Sequence, residues 1–403
     1  MRIDSRYRSR ISVDLRNHNL IAFIVSIAIV CFFILLSFGF VKSVKAENLS
    51  DSINEQIENL DLENLKKYFD SLENANGIEF YSFLDNLLNG NFKGEYNTFF
   101  GYVLSMAFSD FSDTISVICS IIAITLLCSL FNLLKPSLAD ESVGEIVNLV
   151  CLFSILIILS SKIVPLFLSV KNIIQNLTNL CEIMSPIILS LLISSGGTVS
   201  ASLYSPAVSF LTGGVSAIIL NVLLPLVALT LIFHVFSNVC GGIKFNKFAD
   251  FFSSVIKWVT GITVTIFGIF ISVQGIGGAV HDGISIKTAK YAIGNTVPLI
   301  GGFLRDGLDF IMVGSVLIKN SIGIIGIFSL FYTILPPVLY MIVLSLGLKL
   351  ASAVSEPFSD GKVSELLNGV SKSIGSLIAC VLLLGFMIFV TVLLIIFTAN
   401  AFI

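Results

Sequence analysis

Charge is the scarcest ingredient of this 403-residue sequence: Asp, Glu, Lys and Arg make up only 12% of it. A soluble globular chain carries about 25%. Half that charge, beside 55% hydrophobic residues and a mean hydropathy of +0.97, leaves too little polar surface to face water. Lipid is therefore the solvent for much of this chain. Histidine is nearly missing. His18, His234 and His281 are the three, and none stands at ligand spacing from a carboxylate or thiol, so no metal site is expected. The sequence lacks GxSxG, HExxH and Walker A patterns, so no catalytic residue, cofactor site or enzymatic activity is expected. The net charge is −3 and no basic cluster is interleaved with aromatics, which argues against a nucleic-acid partner. The seven cysteines stand singly, mostly in apolar runs, and without a CxxC they read as small apolar residues rather than a disulfide framework.

What is present is a series of long apolar runs. Residues 115–134, 146–161 (continuing past Lys162 to 170), 215–236, 258–280, 322–348 and 374–399 each approach the ~20 residues that a spanning helix needs. Residues 183–203 are apolar too, but Pro186, Gly196, Gly197 and many small hydroxyl residues interrupt them. That pattern fits a re-entrant helical hairpin shielded by protein. The fold class expected is all-α: a polytopic helical membrane protein with an N-terminal signal or anchor, about six transmembrane helices and one re-entrant hairpin.

Three segments follow. Residues 1–46 start with Arg2, Arg6, Arg8, Arg10 and Arg16, continue with an apolar run over 20–41, and end at an A-x-A-like Val44-Lys45-Ala46. A cleaved signal peptide and an uncleaved membrane anchor both fit, and both keep the positive start inside. Residues 47–110 form an acidic segment on the outer side. Its first part, 47–95, holds eleven acids against three lysines, for a net −8. A capping box at Ser52–Glu55 opens an amphipathic helix whose apolar face (Ile53, Ile57, Leu60, Leu65, Phe69, Leu72) needs a partner. Residues 111–403 are the polytopic domain. Lys244, Lys247 and Lys257 place the loop after Phe236 in the cytoplasm. Counting spans from there, with 183–203 not crossing, puts both 47–110 and the C-terminus outside.

Two groups of residues stand out as candidates. Residues 281–320 form the longest polar interval among the later spans, and Lys287, Lys290, Arg305, Asp306 and Asp309 in it are the candidate functional loop. A salt-bridged, topology-setting loop is the plainer reading of the same charges. Pro186, Gly196, Gly197, Gly277, Gly278, Pro298, Gly301 and Gly302 are candidate helix-break or packing positions. As breaks they would line a transport path, and as packing residues they would let helices approach closely. Asn221, His234 and Gln274 are the polar residues within the runs and are expected to face protein or water. No run carries a central carboxylate, as a proton-driven pump would.

The stretch 271–302, ISVQGIGGAVHDGISIKTAKYAIGNTVPLIGG, resembles the stage III sporulation protein AE family. So do LRDGLDFIMVGSVLIKNSIG within 303–323, SPIILSLLISSGGTVSASLYSP at 185–206, and LLNGVSKSIGSL within 356–377. The resemblance runs from about residue 60 to the end and leaves 1–46 outside it. It implies a membrane subunit of a channel or feeding tube between mother cell and forespore, with parts similar to secretion systems. It places the chain in the mother-cell membrane around the forespore, supporting late forespore gene expression. The implied partners are the other membrane proteins of the same operon, a forespore-side protein and the bilayer, and a homo-oligomer is compatible. The family supplies no catalytic residues to carry over. A small-solute permease with glycine-broken helices is the rival expectation.

Overall fold

The computed structural model describes residues 56–57, 60–73, 78–89, 101, 105, 114–130, 141–239, 245–296, 301–357 and 361–400. The segment expected to be a signal or anchor at 1–46, the capping box at 52–55, Pro298 and residues 240–244 of the loop expected in the cytoplasm lie outside them. The described residues form helices and no strand. Two short helices, α1 (Glu63–Glu73) and α2 (Phe80–Leu88), precede α3 (Thr114–Leu130). The long elements follow: α4 (Glu141–Ser194), α5 (Thr198–Val239), α6 (Asn246–Thr296), α7 (Gly301–Ser355) and α8 (Lys362–Asn400).

Among the described residues, every apolar run after residue 114 falls on one of these helices; 20–41 and 131–134 lie outside the described residues. Five helices among the described residues are long and apolar enough to cross a membrane, and α3, with 17 described residues, is a shorter apolar one. The helices outrun the runs that announced them. At 1.5 Å per residue, the 54, 51 and 55 residues of α4, α6 and α7 extend for about 76–83 Å, against a hydrocarbon core of about 30 Å. The surface of α4 shows where the excess lies. Its exposed large residues are apolar through Ile146, Leu149, Val150, Phe153, Ile157, Val164 and Leu168. From Lys171 the exposed positions become Lys171, Asn172, Gln175, Asn176, Asn179 and Glu182. The first half of α4 thus suits lipid and the second half suits water.

The turn at 183–203 belongs to that second half. The helical hairpin expected there is present, but not as a separate element: its arms are the end of α4, unbroken through Pro186 to Ser194, and the start of α5 at Thr198. Proline removes an amide from the helix and frees the carbonyl four residues earlier. The Ser185 hydroxyl donates to that carbonyl, on Glu182, at 3.3 Å. The chain reverses at Gly196, whose φ of +92° lies in the left-handed region that favours glycine.

The bundle core is enclosed around α8, in which 61% of the apolar window is buried, while α6 has only 17%. Leu366, Leu367, Val370, Leu377, Val381 and Leu384 are fully buried along α8. Hydroxyl pairs join it to α7: Ser345 with Ser371 at 2.8 Å and Ser352 with Ser364 at 3.0 Å. Within α5, two π-turns cover Phe210–Val215 and Ile219–Leu223. The Ser216 hydroxyl bonds the Leu211 carbonyl and meets Thr178 of α4 at 2.7 Å, which pins the wider turn to its neighbour.

The expected amphipathic helix is not continuous, since residues 60–62 are non-helical, but its later part, α1, finds its partner in this same chain. Leu62, Leu65 and Phe69 are buried, and Phe69 stacks on Phe83 of α2 and packs near Phe328 of α7. Each fully buried aromatic contributes about 1.5–3 kcal/mol by removing apolar area from water. Tyr68 meets the Thr333 hydroxyl at 3.2 Å.

Candidate functional site

The region singled out by its charges, 281–320, is built from the second half of α6 and the first half of α7. It is a continuous helix on both arms, described on either side of 297–300. It is therefore a long helical hairpin and not a polar loop. Gly277 and Gly278 lie within the unbroken α6, and Gly301 and Gly302 open α7, so none of the four interrupts a helix. Gly213 and Gly214 fall in the first π-turn. Among the described glycine pairs only Gly196–Gly197 breaks a helix.

Asp282 anchors this hairpin to the bundle. Its carboxylate is fully buried, and it accepts hydrogen bonds from the backbone amides of Val199 and Ser200, each at 2.9 Å. Those amides belong to the first turn of α5, where no intrahelical acceptor exists. A carboxylate there also faces the positive end of the helix dipole. Gly196 allows the approach: a β-carbon on it would lie 2.7 Å from Ile286 Cδ1 and 3.1 Å from Met312 Cε, one on each arm.

Lys319 makes the complementary contact. It is fully buried, and its ammonium donates to the carbonyls of Ile395 and Ile396, both at 3.0 Å. These carbonyls lie in the last two turns of α8, near the negative end of that helix dipole. Tyr204 of α5 reaches the same end of α8, with its hydroxyl 2.8 Å from that of Thr398. One buried anion and one buried cation thus hold two helix ends, the start of α5 and the end of α8, against the α6–α7 hairpin, each charge matched to the helix end of opposite sign. Isolated buried charges are costly, and two charge-assisted hydrogen bonds apiece offset that cost.

Beyond Asp282, α6 continues for 14 residues to Thr296, about 21 Å of helix. Lys290 on this extension forms an ion pair with Asp309 of α7, tying the two arms. Lys287 is exposed, and so are the apolar side chains of Ile284, Tyr291, Leu308 and Ile311. Arg305 and Asp306 sit on the helical backbone of α7; only their backbone is described. Of the five candidate charges, the structure therefore brings Lys290 and Asp309 together and leaves Lys287 free on the surface.

Sequence reasoning passed over Asp282 and Lys319, which it met only as members of a charged interval. The signal for Lys319 was a lone cation between Ile318 and Ile322, two positions on the apolar face of α7 that are fully buried. His234 behaves as expected, buried against Gly369, where a β-carbon would lie 2.6 Å from the imidazole. Asn221 is exposed. The side chain of Gln274 is outside the description. Among the described residues no group of three His, Cys, Asp or Glu side chains comes together to hold a metal.

Comparison with known proteins adds a family to this geometry. The family model for stage III sporulation protein AE matches residues 78–399. The stage III sporulation protein AE of Bacillus subtilis (strain 168) is 30% identical over 282 residues, which covers 70% of this chain and 70% of that protein. No solved structure matches.

Proposed function

Since the chain belongs to the stage III sporulation protein AE family, we propose that it is a non-catalytic membrane subunit of a channel between mother cell and forespore. In this reading it sits in the mother-cell membrane around the forespore. It serves as the platform on which the other membrane proteins of the apparatus assemble, and the finished complex sustains late forespore gene expression. The sporulation role comes with the family; the channel, its location and its partners are the proposal.

One observation carries it. The α6–α7 hairpin extends about 20 Å past the point where Asp282 secures it, its arms tied by Lys290 and Asp309, and it leaves Ile284, Tyr291, Leu308 and Ile311 uncovered. Apolar residues on a rigid extension beyond the apolar runs, rimmed by charge, suit protein contact. The exposed polar face of upper α4 points the same way, because it gives the chain a substantial body outside the apolar belt. A permease with glycine-broken helices is the weaker reading, since Gly277, Gly278 and Pro186 all sit within continuous helix.

The test is a deletion strain complemented with variants. Deletion blocks sporulation after engulfment and leaves vegetative growth normal. Tyr291→Asp with Ile284→Asp restores the protein to the membrane but not sporulation, and it loses the partner proteins in a pull-down from engulfed cells. Full sporulation of the deletion strain overturns the proposal. Solute flux by the isolated protein in proteoliposomes replaces it with the permease reading.

A further inference from the structure

A groove of about 250 Å³ opens between α4 and α7, within the apolar stretches of both helices. Ser161, Lys162, Pro165 and Ser169 line it from α4, and Pro337 and Tyr340 from α7. Lys162 is half-buried there, and no acidic side chain among the described residues pairs with it. It stands about 24 Å past the start of the apolar run at Ile146 and about 14 Å short of Lys171, where the surface of α4 turns polar. A four-carbon stem reaches neither boundary, and side chains on a helix tilt toward its N-terminus, away from Lys171. On the outer surface of α4, Ile157 before the lysine and Val164 and Leu168 after it are 70%, 60% and 59% exposed, so this level of the helix is a lipid level. An ammonium at that depth is costly until an anion meets it.

We infer that Lys162 receives a carboxylate from a transmembrane helix of a different protein, seated along the α4–α7 groove, so that one intramembrane ion pair fixes that partner to the bundle. The depth rules out the other anions. A lipid phosphate stays in the headgroup layer and a free anion stays in water, whereas an Asp or Glu carried on a helix reaches the level of Lys162. The sequence rules out a second copy of this chain as the donor: none of its apolar runs, 20–41 included, contains Asp or Glu. The volume sets the mode of contact. A helix about 10–12 Å across with its side chains does not enter a groove of this size, but one acidic side chain does, reaching in from a helix on the rim. The rim admits such a helix. Ser161, Pro165 and Ser169 recur every four residues on one face of α4, all three exposed, and none is bulky enough to hold a backbone away. The inference rests on the reading of this chain as a subunit of a membrane assembly, and it adds a contact inside the bilayer to the hairpin outside it.

The test uses the full chain, dye-labelled at its C-terminus, in phosphatidylcholine vesicles at mildly alkaline pH. The probe is a dilute Leu/Ala transmembrane peptide of about 20 residues with an acceptor dye and one central Glu. Energy transfer reads their association. The wild type binds the Glu peptide about tenfold more tightly than its Gln and Lys counterparts, the scale of one polar interhelical contact in model peptides. Lys162→Met removes that preference, Lys162→Arg keeps it, and Lys162→Glu transfers it to the Lys peptide. Lys257→Ala, an exposed lysine on α6, leaves it unchanged. Equal binding of the three peptides by the wild type overturns the inference, as does a preference that survives Lys162→Met. Melting curves accompany each variant; should Lys162→Met fold poorly, the gain of the Lys peptide by Lys162→Glu decides. In cells, Lys162→Glu blocks sporulation, and suppressors replace an Asp or Glu in an apolar segment of another membrane protein with Lys or Arg. Full sporulation of the Lys162→Glu strain overturns the inference and leaves the proposed function standing, whereas full sporulation of the deletion strain overturns the proposed function itself.

Discussion

Asp282 caps the backbone amide of Ser200 across 82 residues of sequence, joining the α6–α7 hairpin to the first turn of α5. The contact is buried, and its donors have no alternative partner. Asp282→Ala therefore leaves two amides unpaired in the interior and lowers stability by about 2–4 kcal/mol. Asp282→Asn keeps the shape and one good acceptor and costs roughly half as much. Thermal unfolding of the purified variants in detergent measures both. Equal, small losses in the two would mean that the carboxylate is not holding the helix end.

Lys319 separates charge from packing. Lys319→Met removes two hydrogen bonds but also the penalty of a buried ammonium, so its cost stays within about 1–2 kcal/mol. Lys319→Ala adds a cavity and costs about 2–4 kcal/mol. The order of the two melting temperatures is the measurement. Met losing as much as Ala would show the charge and its hydrogen bonds to be worth more than the volume the side chain occupies.

The Lys290–Asp309 pair is partly exposed, with side-chain accessibilities of 24% and 38%, so its strength is modest. Coupling of about 0.2–1 kcal/mol is expected from a double-mutant cycle with Ala at each position. The swap Lys290→Asp with Asp309→Lys restores most of that coupling. Limited proteolysis of the hairpin reads the effect: each single charge reversal speeds cleavage near 297–300, and the swap slows it again.

Gly196 and Gly369 are intolerant for different reasons. Gly196→Ala strains a φ of +92° and crowds Ile286, at a cost of about 1–3 kcal/mol. Gly369→Ala drives a methyl into the ring of His234. The double variant Gly369→Ala with His234→Ala recovers stability relative to Gly369→Ala alone, because the obstacle is the ring. No such second substitution at Ile286 fully rescues Gly196→Ala, since the backbone strain remains.

Tyr68 makes the docking of α1 sensitive to high pH. Burial of its phenol raises its pKa above the ordinary tyrosine range, and the bond to Thr333 acts in the opposite direction. A raised folded-state pKa means stabilisation that is whole below about pH 10 and lost as pH climbs through the raised value. The difference in tyrosinate absorbance between wild type and Tyr68→Phe should therefore develop above pH 10. Development below pH 10 would show that the phenol is not buried against α7.

The sequence by itself determined the solvent, the all-helical class and the positions of the apolar stretches. Hydropathy is a local property, and lipid imposes it residue by residue. It also marked 281–320 as the interval to watch and named the arms' own pair, Lys290 and Asp309, though not as a pair. The tertiary structure decided what local pattern does not encode. Pro186 reads as a break because proline weakens a helix alone, yet a serine hydroxyl takes up the freed carbonyl and the helix continues, as α6 also does through Gly277 and Gly278, which the sequence left open as breaks or packing positions. Asp282 and Lys319 looked like solvated loop charges because a carboxylate or an ammonium is written the same way in water and in a core. Only the arrival of the α5 and α8 ends, from 82 and 76 residues away, turned them into buried caps.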